Sequence, residues 1–133
     1  MIIIRNKFIP FPGFKALNFM GILFVRVNAK ITERTLNHER IHSRQIIEVI
    51  ALSFLPLSIY LHLGGKWLIG AVFSLFSYYL WYLIEWVIYL IMGKGKHEAY
   101  RSISFENEAY SNDADLNYLK KRKLFNFLDY IKL

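Results

Sequence analysis

The chain has 133 residues, room for one domain, of which 55% are hydrophobic and 17% aromatic, with a mean hydropathy of +0.27. One small core cannot hide that much apolar surface, so the surplus is expected to face lipid. The formal charge of +7 flanks apolar segments and does not interleave with aromatics, a pattern that argues against nucleic acid and suits an anionic membrane surface.

Residues 1–27 read as extended structure. Ile2 to Ile4 and Ile22 to Val27 are rich in β-branched and aromatic residues, and Pro10, Pro12 and Gly13 punctuate the stretch between them. A hairpin or a pair of short strands is expected, although Lys15 to Met20 also fits a helical turn. The apolar run before Arg5 is too short for a signal peptide, and its charge lies on the wrong side, so no cleaved leader is expected.

A helix is expected to start at Thr32 or Thr35, either of which can cap it. It runs from Glu33 through polar residues to Glu48, enters the uncharged stretch Val49 to Leu61, and ends at Gly64-Gly65. The apolar part is only about 20 Å long and contains Pro56. It must tilt or meet a thinned bilayer to cross, or else it is re-entrant. Trp67 to Met92 is long enough to cross ~30 Å of hydrocarbon, with Trp67 and Tyr89 suited to the interfaces. Glu85 lies inside this span, where an ionisable group is costly. It is a functional candidate for that reason, without a catalytic role assigned, or else it snorkels towards Met92 or pairs with a group of the first apolar helix, Ser53 for instance.

After Gly93-Lys94-Gly95-Lys96 the chain turns polar and is expected to be helical through Asn112. Lys120-Lys121-Arg122-Lys123, followed by Leu124, Phe127, Leu128 and Ile131, predicts a basic amphipathic helix on the membrane surface; a packed terminal helix fits the same pattern. The fold class is therefore mainly α and integral to a membrane, with two hydrophobic helices in a hairpin and a short extended N-terminal element. A single membrane-embedded domain is expected over 1–133: the extended element (1–31), a helix running into the first membrane helix (32–63), the second membrane helix (67–92), and a Glu-bearing helix with a basic tail (97–133). Only Lys66 lies between the two apolar segments, while Arg26, Lys30, Arg34, Arg40, Arg44, Lys94, Lys96 and Arg101 crowd the other side. The positive-inside rule then places both termini in the cytoplasm, in contact with anionic lipids.

His38-Glu39-Arg40-Ile41-His42 is an H-E-x-x-H sequence. Four residues apart on a helix, both imidazoles lie on one face and can reach one ion. With no cysteine in the chain, any metal must take His and carboxylate ligands, and two imidazoles suit zinc. Glu39 is then placed to take a proton from metal-bound water. Gln45, seven residues after His38, shares the face and could hydrogen-bond in the site. A catalytic zinc usually has three protein ligands, which directs attention to Ser104-Phe105-Glu106-Asn107-Glu108-Ala109-Tyr110.

H-E-x-x-H, a hydrophobic hairpin and then E-x-x-A together resemble the membrane-embedded gluzincins, such as the CaaX prenyl proteases and the HtpX-type quality-control proteases. The resemblance covers residues 35–112. It implies Glu106 as third zinc ligand and Ala109 as the small residue that lets helices pack closely; Tyr110 stands where the family has an Asp that orients a ligand histidine. A thermolysin-like register, Asn107-Glu108-Ala109-Tyr110-Ser111, would instead make Glu108 the ligand. The two carboxylates point away from each other on a regular helix, so only one can serve. His97, Tyr100, Arg101 and Tyr110 are candidates to stabilise a developing oxyanion, and Gly21 to Val27 is expected to be an edge strand that adds a substrate backbone. The activity implied is zinc-dependent hydrolysis of a protein or peptide substrate, soluble or membrane-anchored. The alternative is a non-catalytic membrane adaptor or metal-binding regulator, with the glutamates in a salt-bridge network with Arg40, Arg44 and Arg101.

Overall fold

The computed structural model describes residues 1–9 and 16–132, so Pro10, Pro12 and Gly13 lie outside the described residues. In chain order the elements are strands β1 (Ile2–Asn6), β2 (Ala16–Phe19) and β3 (Ile22–Arg26), then helices α1 (Glu33–His62), α2 (Trp67–Ile91), α3 (Lys96–Ser102), α4 (Ser104–Asn112) and α5 (Tyr118–Lys121). A 3₁₀ turn covers Asn126–Tyr130. The fold is mainly helical, with two long apolar helices that could span a membrane. Two compact units are formed, Met1–Arg44 with Ala109–Lys123, and Gln45–Glu108 with Leu124–Leu133; α1 and α4 contribute residues to both.

In the first unit the strands form a sheet of order β1-β3-β2. Ala16–Phe19 is a strand and not a helical turn, because it pairs antiparallel with β3. Met20 and Gly21 join the two with φ of 52° and 80°, the left-handed pair that matches the twist of a two-residue hairpin. β1 pairs with the other side of β3 in parallel. The expectation that Gly21 to Val27 forms an edge strand is thus overturned: β3 is central and both its backbone edges are occupied. Its Leu23 and Val25 are fully buried.

Helix α1 begins where the Thr32 hydroxyl accepts the Thr35 N–H at 3.1 Å, satisfying a donor that the first turn leaves unpaired. It continues unbroken past Pro56. At its end Gly64, with φ of 84°, lets Gly65 N–H reach Tyr60 O and Gly64 N–H reach Leu61 O, both at 3.0 Å. This is the Schellman closure that glycine favours.

In the second unit, polarity runs opposite to that of a water-soluble helix. The residues of α2 that are buried are Gly70, Ser74, Tyr78, Glu85 and Tyr89, while Leu68, Ile69, Val72, Phe73, Leu75, Phe76, Leu83 and Ile84 are exposed. On α1, Ser53 is buried and Leu52, Phe54, Leu55 and Ile59 are exposed. Gly70 leaves room for Leu57 of α1, whose Cδ1 a Cβ at this position would overlap.

Three expectations are corrected here. Glu85 neither snorkels nor meets Ser53, whose hydroxyl donates to Ile50 O. Instead Glu85 accepts from Trp81 Nε1 at 2.6 Å, from Ser104 N–H at 2.6 Å and from the Ser104 hydroxyl at 2.8 Å. The helix expected through Asn112 is interrupted at Ile103, because this carboxylate takes up the first N–H of a new helix, α4. Among its described residues the tail forms no long amphipathic helix: it folds into short turns, with Phe127 fully buried, Tyr130 O accepting from Asn107 Nδ2 at 3.4 Å and Lys132 N–H donating to the Tyr89 hydroxyl at 3.2 Å.

Candidate metal centre

The inner stripe of α1 carries Asn37, His38, Ile41, His42, Gln45 and Glu48, all buried, whereas Arg40 and Arg44 are exposed. His38 and His42 stand one turn apart with their Nε2 atoms 3.0 Å from each other and their rings edge to face. Two imidazoles on one tetrahedral zinc at ~2.0–2.1 Å would place these nitrogens about 3.3 Å apart, so little movement separates this pair from a bidentate metal clamp.

The other nitrogen of His38, Nδ1, lies 3.7 Å from Asp113 Oδ2. A carboxylate behind a ligand histidine fixes its tautomer and strengthens it as a donor to metal. Asp113 is itself held in place. Its Oδ1 accepts from Arg34 Nε at 2.8 Å, and Asn37 Nδ2 donates to the carbonyls of Asp113 and Asp115, each at 3.0 Å. Lys121 Nζ sits 2.6 Å from Asp115 Oδ2, and this hydrogen bond, with that from Asn117 N–H, holds the Asp115 carboxyl below its usual range.

Helix α4 carries the third residue of the candidate group. His38, His42 and Glu106 each offer one ligand atom, all within 4.8 Å of one another, and all three residues are buried; the group could hold a metal ion. The Tyr82 hydroxyl donates to Glu106 Oε1 at 2.9 Å. Glu108, fully buried, accepts instead from Gln45 Nε2 at 2.9 Å, and the same amide donates to Phe105 O at 3.1 Å. Gln45 therefore binds the α4 backbone and Glu108. Ala109 packs in a core cluster with Ile41 and Tyr118, where a larger side chain would push α4 outward.

The remaining sequence candidates divide. Tyr110 sets its ring 4.6 Å from that of His38. Tyr100 lies 6.2 Å from the Tyr82 ring, and His97 and Arg101 are exposed on α3. Arg40 meets Glu33 at 3.9 Å, on the exposed side of α1. Glu39 is half-buried; its carbonyl accepts from Asn18 Nδ2 at 2.7 Å and from the Ser43 hydroxyl at 3.0 Å, which ties β2 to this turn of α1. Asp113, Asn37 and Tyr82 were missed from the sequence. Asp113 carried a usable signal, since Glu106, Ala109 and Asp113 follow the i, i+3, i+7 spacing of one helix face. Comparison with family models, with curated proteins and with solved structures finds no match to this chain.

Proposed function

We propose that the chain is a membrane-embedded zinc-dependent endopeptidase that cuts protein or peptide substrates near the cytoplasmic membrane surface. The observation that carries this reading is the convergence of His38, His42 and Glu106 within 4.8 Å, with Glu39 directly after the first histidine on α1. Bound zinc would supply Lewis-acid activation of water and of the scissile carbonyl. In this reading Glu39 is the general base that takes the water proton and delivers it to the leaving amine. Asp113 keeps the His38 imidazole in the tautomer that presents Nε2, and Tyr82 fixes the rotamer of Glu106. Tyr110, packed on His38, is the donor best placed to reach a developing oxyanion.

Membrane placement rests on the inverted polarity of α2 and the exposed apolar face of α1, which suit hydrocarbon on the outside and polar partners within. The charge asymmetry about Lys66 supports cytoplasmic termini. Substrate backbone would align on β2, an edge of the sheet tethered through Asn18 to Glu39, in place of the central β3.

The test is elemental analysis of protein purified in detergent without chelators, together with proteolysis of a labelled unstructured protein in proteoliposomes. Wild type should carry stoichiometric zinc, and His38→Ala and His42→Ala should lose it. Glu39→Gln should keep zinc while abolishing cleavage. Wild type devoid of zinc would refute the reading; zinc without cleavage in wild type would favour a metal-binding regulator.

A further inference from the structure

The sheet of the first unit has two unlike faces. Leu23 and Val25 on β3 are fully buried, so the alternate residues Ile22 and Phe24 belong to the other face. The strand registers place Ile2 and Phe19 beside Ile22, and Ile4 and Leu17 beside Phe24. Two full rows across three strands are thus apolar, and Ile2, Ile4, Leu17 and Phe19 are exposed by 64, 40, 40 and 40%. Phe8, just after β1, is 87% exposed. The open face of a sheet is ordinarily polar, and a contiguous apolar patch on one marks an interaction site.

Charge identifies the occupant. Residues 1–32 contain Arg5, Lys7, Lys15, Arg26 and Lys30 and not one Asp or Glu. An apolar face on a segment whose charges are all basic has the composition of an interfacial membrane surface, and that charge disfavours a second copy of the chain, whose equal charge would be brought against it. We propose that the outer face of the β1-β3-β2 sheet docks on an anionic lipid bilayer, with Ile2, Ile4, Leu17 and Phe24 entering the headgroup–acyl boundary. This assignment is independent of the metal centre and shares only the bilayer with the functional reading above.

The chain has no cysteine, so single cysteines can carry an environment-sensitive fluorophore in the full-length protein. Ile4→Cys and Leu17→Cys probe the face, Lys121→Cys is an aqueous control, and Leu83→Cys on α2 reports the bilayer core. Each labelled variant is reconstituted into vesicles of phosphatidylcholine with phosphatidylglycerol, with spin-labelled lipid as quencher. The Ile4 and Leu17 probes should blue-shift and be quenched by labels near the headgroups, with the quenching reduced in phosphatidylcholine alone, while the Lys121 probe stays unquenched. Quenching at Leu83 with none at Ile4 and Leu17 would overturn the docking surface and leave the membrane helices standing. A blue shift without lipid quenching would mean that protein covers the face, which also overturns it. Equal quenching in the neutral bilayer would overturn the anionic component. Loss of quenching at Leu83 as well would show that the bilayer reading itself had failed.

Discussion

Asp113→Asn separates a metal-tuning carboxylate from an ordinary ion pair. The substitution keeps the shape but leaves one acceptor oxygen where the carboxylate offers two, Oδ1 to Arg34 and Oδ2 towards His38 Nδ1, and it removes the negative charge 3.7 Å from that nitrogen. Loss of such a partner typically weakens metal binding about 10–100-fold, or about 1.4–2.8 kcal/mol. The Arg34 side chain is 63% exposed, so the Arg34–Asp113 pair adds at most about 1 kcal/mol to folding. The two effects can be read apart. Zinc affinity comes from competition with a chromophoric chelator in detergent, and stability from the thermal midpoint of the metal-free protein. Asp113→Asn should lower affinity at least tenfold while shifting the metal-free midpoint little, and Arg34→Ala should leave affinity nearly unchanged. If Asp113→Asn binds zinc as wild type does, or loses affinity only in proportion to a loss of fold, Asp113 is not acting through His38.

Three further outcomes follow from the same contacts. Glu106→Gln should reduce zinc occupancy sharply, whereas Glu108→Gln should retain most of it, because Gln45 can hydrogen-bond a neutral amide; chelator titration that reversed this ranking would favour the thermolysin-like register. Glu85→Ala should destabilise the protein by roughly 3 kcal/mol or more, since Ser104 N–H, the Ser104 hydroxyl and Trp81 Nε1 each lose their acceptor at about 1–3 kcal/mol per buried group, and a thermal shift equal to that of the exposed control Leu83→Ala would contradict this. Cysteines at Lys66 and Gly95 should label from opposite sides of the membrane, Gly95 from the cytoplasm; labelling of both from one side would mean that the apolar half of α1 is re-entrant.

The parts legible in the sequence are those with a local cause. His38, Glu39 and His42 could be placed on one helix because their spacing matches its turn, and the bounds of α1 and α2 are written in Thr32, Gly64 and Gly93. Glu106 and Glu108 could be separated in principle, since residues two apart diverge on a helix, but their partners Tyr82 and Gln45 depend on how distant segments meet. The same limit explains the error over β3. Its composition says strand, while its central place depends on a parallel partner twenty residues earlier, and no local signal reports that pairing. Glu85 was recognised as costly within an apolar helix, yet its use was not readable, because two of the three donors that satisfy it belong to the start of α4, a distant segment.

The buried carboxylates show why so short a chain can hold Glu106 in place. A buried acid is tolerated when hydrogen-bond donors converge on it, and each acid on or against α4 has them: Glu85 takes the first N–H of the helix, Glu108 takes Gln45, and Glu106 takes Tyr82. At the other end Asn37, the residue before His38, binds the carbonyls that follow the helix. Glu106 therefore sits on a nine-residue helix anchored at its first N–H, at its middle and just beyond its last turn. An isolated helix of that length is marginal in water, so its order comes from these anchors and from Phe105 and Ala109 in the core. The placement of Glu106 is then a property of the polar network as much as of that residue, and changes at Glu85 or Asn37 should reach the candidate metal centre through the position of α4.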